Sequence, residues 1–147
     1  MQYIENIEDI DIMSLVSHLD FTVNEESIQM DLVLLPSQVF EAGAIMAQVR
    51  SWLDNCKRRL DLIEAAADSD VRNNPQKHSI VKLTEGAVEA AVTATVEVRE
   101  LREKVVKAKH ANDVAYAAVN ALETKRKTLE SLVQLKSIGF YAARNVA

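Results

Sequence analysis

The chain has 147 residues, a formal net charge of -5 and one cysteine, Cys56. The length fits one domain by the usual ~100 to 200 residues per domain. The lone thiol excludes an intramolecular disulfide, and three glycines leave no glycine-rich phosphate-binding loop. Hydrophobic residues make up 48% and aromatic residues only 5%, which is typical of closely packed helices and not of an enzyme. We therefore expect an all-α, non-enzymatic protein.

The charges are distributed unevenly along the chain. Residues 1–35 hold eight carboxylates and no Lys or Arg, whereas residues 98–147 hold ten cations and five carboxylates. The N-terminus lacks the basic and apolar regions of a signal peptide. Apolar runs such as residues 33–35 are far shorter than the ~20 residues needed to span a bilayer. We expect a soluble cytoplasmic protein without membrane contact.

The N-terminal segment, residues 1–35, is predicted to be acidic and partly helical. Apolar spacing allows one short helix over residues 2–19, and the stretch FTVNEESIQMDLV favours no element. Pro36 is expected to break any helix, with Ser37 as the N-cap of the next. Residues 36–147 would then form a helical hairpin and oligomerisation domain.

The first long helix is predicted over residues 37–68. Its apolar residues recur at spacings of three and four, as in a heptad seam: Ala42, Met46, Val49, Leu53, Cys56, Leu60, Ile63 and Ala67. Cys56 is then a buried structural thiol, and Trp52 fits core packing better than base stacking. The helix should end in DSDVRNNPQKHS, where Asn74 and Pro75 favour a turn.

The second long helix is predicted over residues 96–138, with a second heptad seam. Thr84 is a candidate N-cap for a preceding helix, and Thr93 or Thr95 for the long one. Gly139 should close it in the left-handed conformation. The two long helices predict an antiparallel hairpin. Because the second arm is the longer, it should project past the first and self-associate.

No catalytic or metal-binding pattern is evident in the sequence. The histidines, His18, His78 and His110, lie far apart with no acidic or cysteine partner at ligand spacing. Carboxylate pairs such as Glu85 with Glu89 are typical of solvated helix faces. We expect no metal, no cofactor and no catalytic residues.

Three basic clusters remain as candidates for binding a charged backbone, although each also fits a solvated helix face. They are residues 57–59, the set Lys104, Lys107 and Lys109, and the triplet Lys125, Arg126 and Lys127. Oligomerisation would repeat each cluster and allow it to neutralise several phosphates. After the triplet, an apolar series should pack against neighbouring subunits, leaving Lys125 and Lys127 on the exposed flank. That series is Leu129, Leu132, Val133, Leu135 and Ile138.

The order of four segments resembles the UvsY-type recombination mediator proteins of tailed phages. The segments are LPSQVFEAGAIMAQVRSWLDNCKRRLDLIEA, a turn with VRNNP, KLTEGAVEAAV at a helix start, and AVNALETKRKTLESLVQLKSIGF. The resemblance covers roughly residues 31–141. One departure is AADSDVRNN, which carries Asp68 and Asp70 where the family is basic.

This resemblance implies a ring-like homo-oligomer that binds single-stranded DNA and helps a recombinase replace single-strand-binding protein in DNA recombination and repair. It adds DNA-binding candidates around the first helix and its turn: Arg58, Arg59, Arg72, Lys77 and Lys82. It assigns residues 122–140 to oligomerisation, adding Leu122 and Phe140 to the apolar series. The setting would be the cytoplasm of an infected bacterium.

Two questions stay open at the level of sequence. The acidic N-terminal segment could cover a basic groove, meet a basic partner or act only as a solubilising region; if it covers a groove, deleting residues 1–30 should tighten DNA binding. The rival to DNA loading is a helical scaffold or inhibitor that acts through protein–protein contacts. Steep salt dependence of DNA binding would separate the two functions.

Overall fold

The computed structural model describes residues 10–139, and its regular elements in that range are all helical. In chain order they are α1 (Ile12–Val16), α2 (Ile28–Asn73), a 3-10 turn (Pro75–His78), α3 (Glu85–Ala94) and α4 (Val96–Ser137). The all-α prediction is confirmed, and the two long helices pair with each other. The predicted bounds of α4 agree with the structure to within one residue at the C-terminal end.

The N-terminal part forms less helix than the apolar spacing predicted. Of residues 10–19, only Ile12–Val16 are helical, and residues 2–9 lie outside the described range. Asp11 caps α1 by accepting a hydrogen bond from the Ser14 amide at 3.2 Å. Further on, Asp20 accepts from the Thr22 amide at 2.9 Å, a local bond that favours a turn over helix.

The prediction that Pro36 breaks the helix, with Ser37 as the next N-cap, is wrong. Pro36 lies inside α2, and the Ser37 hydroxyl donates to the Leu34 carbonyl at 2.7 Å instead of capping. An interior proline costs about 3 kcal/mol. However, Ile28 and Leu35 before it and Ala42 after it are all buried, and burying each large apolar side chain contributes about 1.5–3 kcal/mol. Packing on both sides of the proline therefore keeps the helix continuous.

The length of α2 also removes one argument for self-association. We expected the second arm to be the longer, but α2 has 46 residues and α4 has 42. The expectation that the second long helix is the longer one is therefore wrong.

The described residues fall into two compact units. Residues 49–111 form one, here called the turn unit; residues 10–48 and 112–139 form the other, here called the terminal unit. The predicted boundary between residues 35 and 36 falls inside α2.

The turn unit has a small valine core. Val71 of α2, Val88 and Val92 of α3 and Val98 of α4 are buried together. Thr84 caps α3 as predicted, because its hydroxyl accepts from the Ala87 amide at 3.3 Å. The two hydroxyls considered as caps of α4 bond elsewhere: that of Thr95 donates to the Ala91 carbonyl, and that of Thr93 accepts from Arg102.

The terminal unit draws its buried apolar side chains from three segments of the chain. These are Ile12, Val16 and Leu19 before α2; Ile28, Leu35, Ala42 and Ile45 on α2; and Ala115, Ala118, Leu122 and Leu129 on α4. Gly139 has a φ of 72°, which confirms the predicted left-handed end of the last helix.

Candidate nucleic-acid interface

The eight predicted DNA-binding residues divide between the two units. Five belong to the turn unit and three to the terminal unit. Their surroundings differ in exposure and in neutralisation by carboxylates, and those differences decide which of them can meet a phosphate.

Arg58 and Arg59 are exposed on α2. Within residues 10–139, neither guanidinium has a carboxylate at ion-pair distance, and the same holds for Lys57. Burial raises the pKa of the Cys56 thiol, while the charges of Lys104 and Arg59 oppose that rise, so both cations lie near the thiol. We call Lys57, Arg58, Arg59 and Lys104 the Arg59 cluster. It combines cations from both long helices on one unit.

Arg72, by contrast, is neutralised by two carboxylates. Its guanidinium donates two hydrogen bonds to Glu85, at 3.0 and 2.7 Å, and one to Asp68 at 2.8 Å. These bonds raise the pKa of Arg72 above its ordinary value and lower that of Glu85. A surface depression of about 490 Å³ beside it is lined by four carboxylate residues, by Arg102 and by four uncharged residues. Arg72 is therefore already paired and is not a free cation for a phosphate.

Lys77 also forms an ion pair, with the carboxylate of Asp70. That carboxylate accepts from the His78 ring at 3.0 Å, from the Lys77 ammonium at 3.1 Å and from the side-chain amide of Asn74 at 2.9 Å. These three hydrogen bonds lower the pKa of Asp70 to about 2, and the bond from His78 has the largest effect. Lys82 is exposed before α3, with no carboxylate at ion-pair distance in the described part of the chain. Asp68 and Asp70 therefore form local ion pairs at the turn.

Lys125 is buried, and our prediction that it lies on the exposed flank is wrong. Its side chain is only 2% exposed. The ammonium donates to the Asp20 carbonyl at 3.0 Å and to the Asp20 carboxylate at 3.1 Å, and lies 3.5 Å from Asp31. Hydrogen bonds from Thr22 and then from Lys125 lower the pKa of Asp20 to about 2. Contact of Lys125 with DNA would require opening this arrangement.

The other two members of the triplet lie at the surface. Arg126 pairs along the helix with Glu123 at 3.1 Å and with Glu130 at 3.7 Å. Lys127 is exposed, and among residues 10–139 it has no ion-pair partner. Of the triplet, Lys127 is therefore the cation most open to a phosphate.

The predicted oligomerisation residues also divide by burial. Leu122 and Leu129 are 0% exposed within the single chain, so a neighbouring subunit cannot reach them. Leu132 and Leu135 are half-buried, whereas Val133 and Ile138 are exposed. Phe140 lies outside the described residues. The burial of Leu122 and Leu129 comes from packing within the terminal unit that the sequence did not reveal.

Sequence reasoning missed an exposed apolar face on α2. Met30, Val33, Leu34 and Phe40 recur at helical spacing and remain exposed. The apolar residues between Met30 and Phe40 are visible in the sequence, but the helix break predicted at Pro36 assigned them to two different elements. By length and composition alone, α2 is also apolar enough to cross a membrane, a test that core helices of soluble proteins pass as well.

The described residues contain no group of three or more His, Cys, Asp and Glu side chains that could hold a metal ion. His18, for which we saw no acidic partner in the sequence, lies 2.7 Å from Glu41. His78 contacts Asp70 as described above. Both histidines thus take part in polar pairs at the surface of their own units.

Comparison with protein-family models, with curated proteins and with solved structures finds no match for this chain.

Proposed function

We propose that this chain is a non-enzymatic recombination mediator of the UvsY type, which binds single-stranded DNA and helps load a recombinase in place of single-strand-binding protein. It would act in the cytoplasm of a phage-infected bacterium. The observation that carries the proposal is the Arg59 cluster, whose Arg58 and Arg59 are exposed and lack a paired carboxylate in the described range.

Binding of a charged backbone requires cations that are not already neutralised. Each phosphate contact releases condensed counterions, so several modest contacts together give useful affinity. The chain is negative overall, but phosphates respond to the local charge of the surface that they approach. A single strand can follow a small basic surface more closely than a stiff duplex, which favours single-stranded DNA as the ligand.

The surroundings of the eight candidates suggest an order of contribution. Arg58, Arg59, Lys82 and Lys127 are proposed as the main phosphate contacts. Arg72, Lys77, Arg126 and Lys125 must first exchange a carboxylate partner. We expect their contribution to be smaller, and that of buried Lys125 to be the smallest.

Assembly into a ring-like homo-oligomer, with heptad seams between the long helices, is part of the same proposal. Repetition of the Arg59 cluster around a ring would multiply the number of phosphates contacted by one strand. Of the predicted oligomerisation residues in the described range, Val133 and Ile138 are exposed enough to meet a neighbour.

The test is fluorescence anisotropy of a labelled single-stranded oligonucleotide at low salt, beside the same sequence as duplex. We expect tighter binding to the single strand and a loss of about tenfold or more in R58A/R59A. The matched control is R50A/R99A, which removes two exposed cations outside the candidate set. Absence of binding by the folded protein, or equal losses in both variants, would contradict the proposal.

A second candidate function is a helical scaffold or inhibitor that acts through protein–protein contacts. The exposed apolar face of α2 favours it, because such faces on soluble proteins commonly mark interaction sites. This function predicts self-association without DNA affinity.

A further inference from the structure

The N-terminal half of α2 is apolar on two faces. One face, with Ile28, Leu35 and Ala42, is buried within the terminal unit. The other carries Met30, Val33, Leu34 and Phe40, with exposed fractions of 63%, 74%, 47% and 79%. We call these four residues the α2 stripe. A contiguous apolar helix face is normally covered by another part of the protein or by a partner, so the α2 stripe lacks its cover in the isolated chain.

The stripe carries no charge that would select an ionic partner. Residues 32–40 contain no Asp, Glu, Lys or Arg. At its N-terminal end Asp31 is turned inward toward Lys125, and at its C-terminal end Glu41 lies 2.7 Å from His18. A nucleic acid backbone would find no cation here. The surface suits an apolar occupant.

The exposed area fits one standard protein interface. If each side chain is given roughly 150 Å², the low end of the range for aromatic residues, the exposed fractions of the four residues correspond to about 400 Å². That is as large as the largest apolar patch on a typical monomer, about 300–600 Å². A standard interface buries about 800 Å² per partner, and about 65% of a homodimer interface is apolar. The stripe supplies most of that apolar part.

We propose that the α2 stripe is a self-association surface, at which two copies of this chain pack their α2 helices antiparallel about a twofold axis near Ser37. Two such ridges are self-complementary, and residues 32–40 introduce no like-charge contact. The antiparallel direction also keeps exposed Glu26 of one copy at the opposite end from Glu26 of the other. This surface is distinct from the C-terminal residues assigned above.

The inference deepens the oligomer of the proposed function and does not depend on DNA binding. Failure of DNA binding with intact self-association would leave it standing. Conversely, self-association through another surface would remove it while leaving the DNA proposal intact.

The test is the mass of the full chain in solution by light scattering over a range of concentrations, for the wild type and V33D/F40D. We expect a wild-type assembly larger than a monomer and at least about tenfold weaker association in the variant, because two carboxylates from each copy would be buried at the twofold contact. The matched control, L62D/V106D, changes two equally exposed apolar residues of the turn unit and should assemble as the wild type does. Circular dichroism establishes that each variant is helical.

A second readout avoids destabilising substitutions. In a C56S background, a short bis-maleimide should cross-link S37C into covalent dimers and leave S51C, on the turn-unit part of α2, mainly monomeric. A monomeric wild type, a folded V33D/F40D that assembles normally, or equal cross-linking of the two cysteine variants would overturn the proposal. A final experiment adds neutral phosphatidylcholine vesicles. If the wild type is a monomer that binds these vesicles through the stripe, the face contacts lipid and the self-association proposal is overturned.

Discussion

The two units differ in the placement of one of their candidate cations. In the turn unit, Arg72 and Lys77 form ion pairs at the surface, while Lys57, Arg58 and Arg59 are exposed and Lys104 is half-buried. In the terminal unit, Lys125 is buried against carboxylates of the N-terminal segment. Exposed ion pairs contribute little to stability because water and salt screen them. Removing one member of a buried ion pair destabilises the protein far more, because the remaining charge is buried without a partner. Cations of the turn unit are therefore available at the surface, whereas Lys125 of the terminal unit has a structural role.

The largest expected effect on stability comes from a substitution of Leu129, in the core of the terminal unit. It is fully buried in the terminal unit, so L129A should lower the free energy of unfolding by about 2–5 kcal/mol. V133A, four residues on at a 42% exposed position, should change it by less than about 1 kcal/mol. Urea unfolding of dilute protein measures both. Similar small effects would mean that Leu129 is not part of the core of the single chain.

The buried ion pair gives the next largest effect. K125A should destabilise the protein by about 2–3 kcal/mol, somewhat below the ~3–5 kcal/mol for fully buried pairs because Asp20 is partly exposed. K127A, its exposed neighbour, is the control and should be close to neutral. The comparison uses the same urea unfolding. If the two variants were equally stable, the difference drawn between the units would not hold.

Acid should destabilise both units over the same pH window. The folded-state pKa values of Asp20 and Asp70 are both lowered to about 2, from an ordinary value near 3.8. Their stabilisation is thus complete above pH ~4 and lost as the pH falls through ~2, because the unfolded chain takes up protons first. The melting temperature measured from pH 5 to pH 2 should fall, and less steeply in D70N. A D70N profile parallel to the wild type would contradict this assignment.

The smallest predicted effect concerns release of Lys125. D20N should weaken the contact between residue 20 and the Lys125 ammonium. The freed charge of Lys125 should then strengthen binding to single-stranded DNA by about two- to fivefold. This substitution tests coverage of a basic surface better than deletion of residues 1–30, which would also remove buried Ile12, Val16 and Leu19. S14A is a control on the same segment. Unchanged affinity in folded D20N would exclude autoinhibition through this contact.

Local signals in the sequence predicted several parts of the fold correctly. The cap at Thr84, the left-handed Gly139 and the burial of Cys56 and Trp52 all follow from residue type and helical spacing. The bounds of α4 were predictable for the same reason, since no proline or glycine interrupts residues 96–138.

Features that depend on tertiary packing were not predictable. Proline signals a helix break locally, but buried side chains on both sides of Pro36 outweigh that preference. The partner of Lys125 lies 105 residues away, so the triplet gave no sign that one of its cations is buried. The pairing of Arg72 with Asp68 was visible at a spacing of four, whereas its bonds to Glu85 depend on the turn.

The central claim is that exposed cations of the turn unit bind single-stranded DNA, and its most direct test is the salt dependence of that affinity. The logarithm of the binding constant, measured by anisotropy and plotted against the logarithm of salt concentration, should fall with a slope of about -0.7 per phosphate neutralised. We predict a steep slope for the wild type and a shallower one for R58A/R59A. A flat plot, or identical slopes for the two proteins, would contradict the claim.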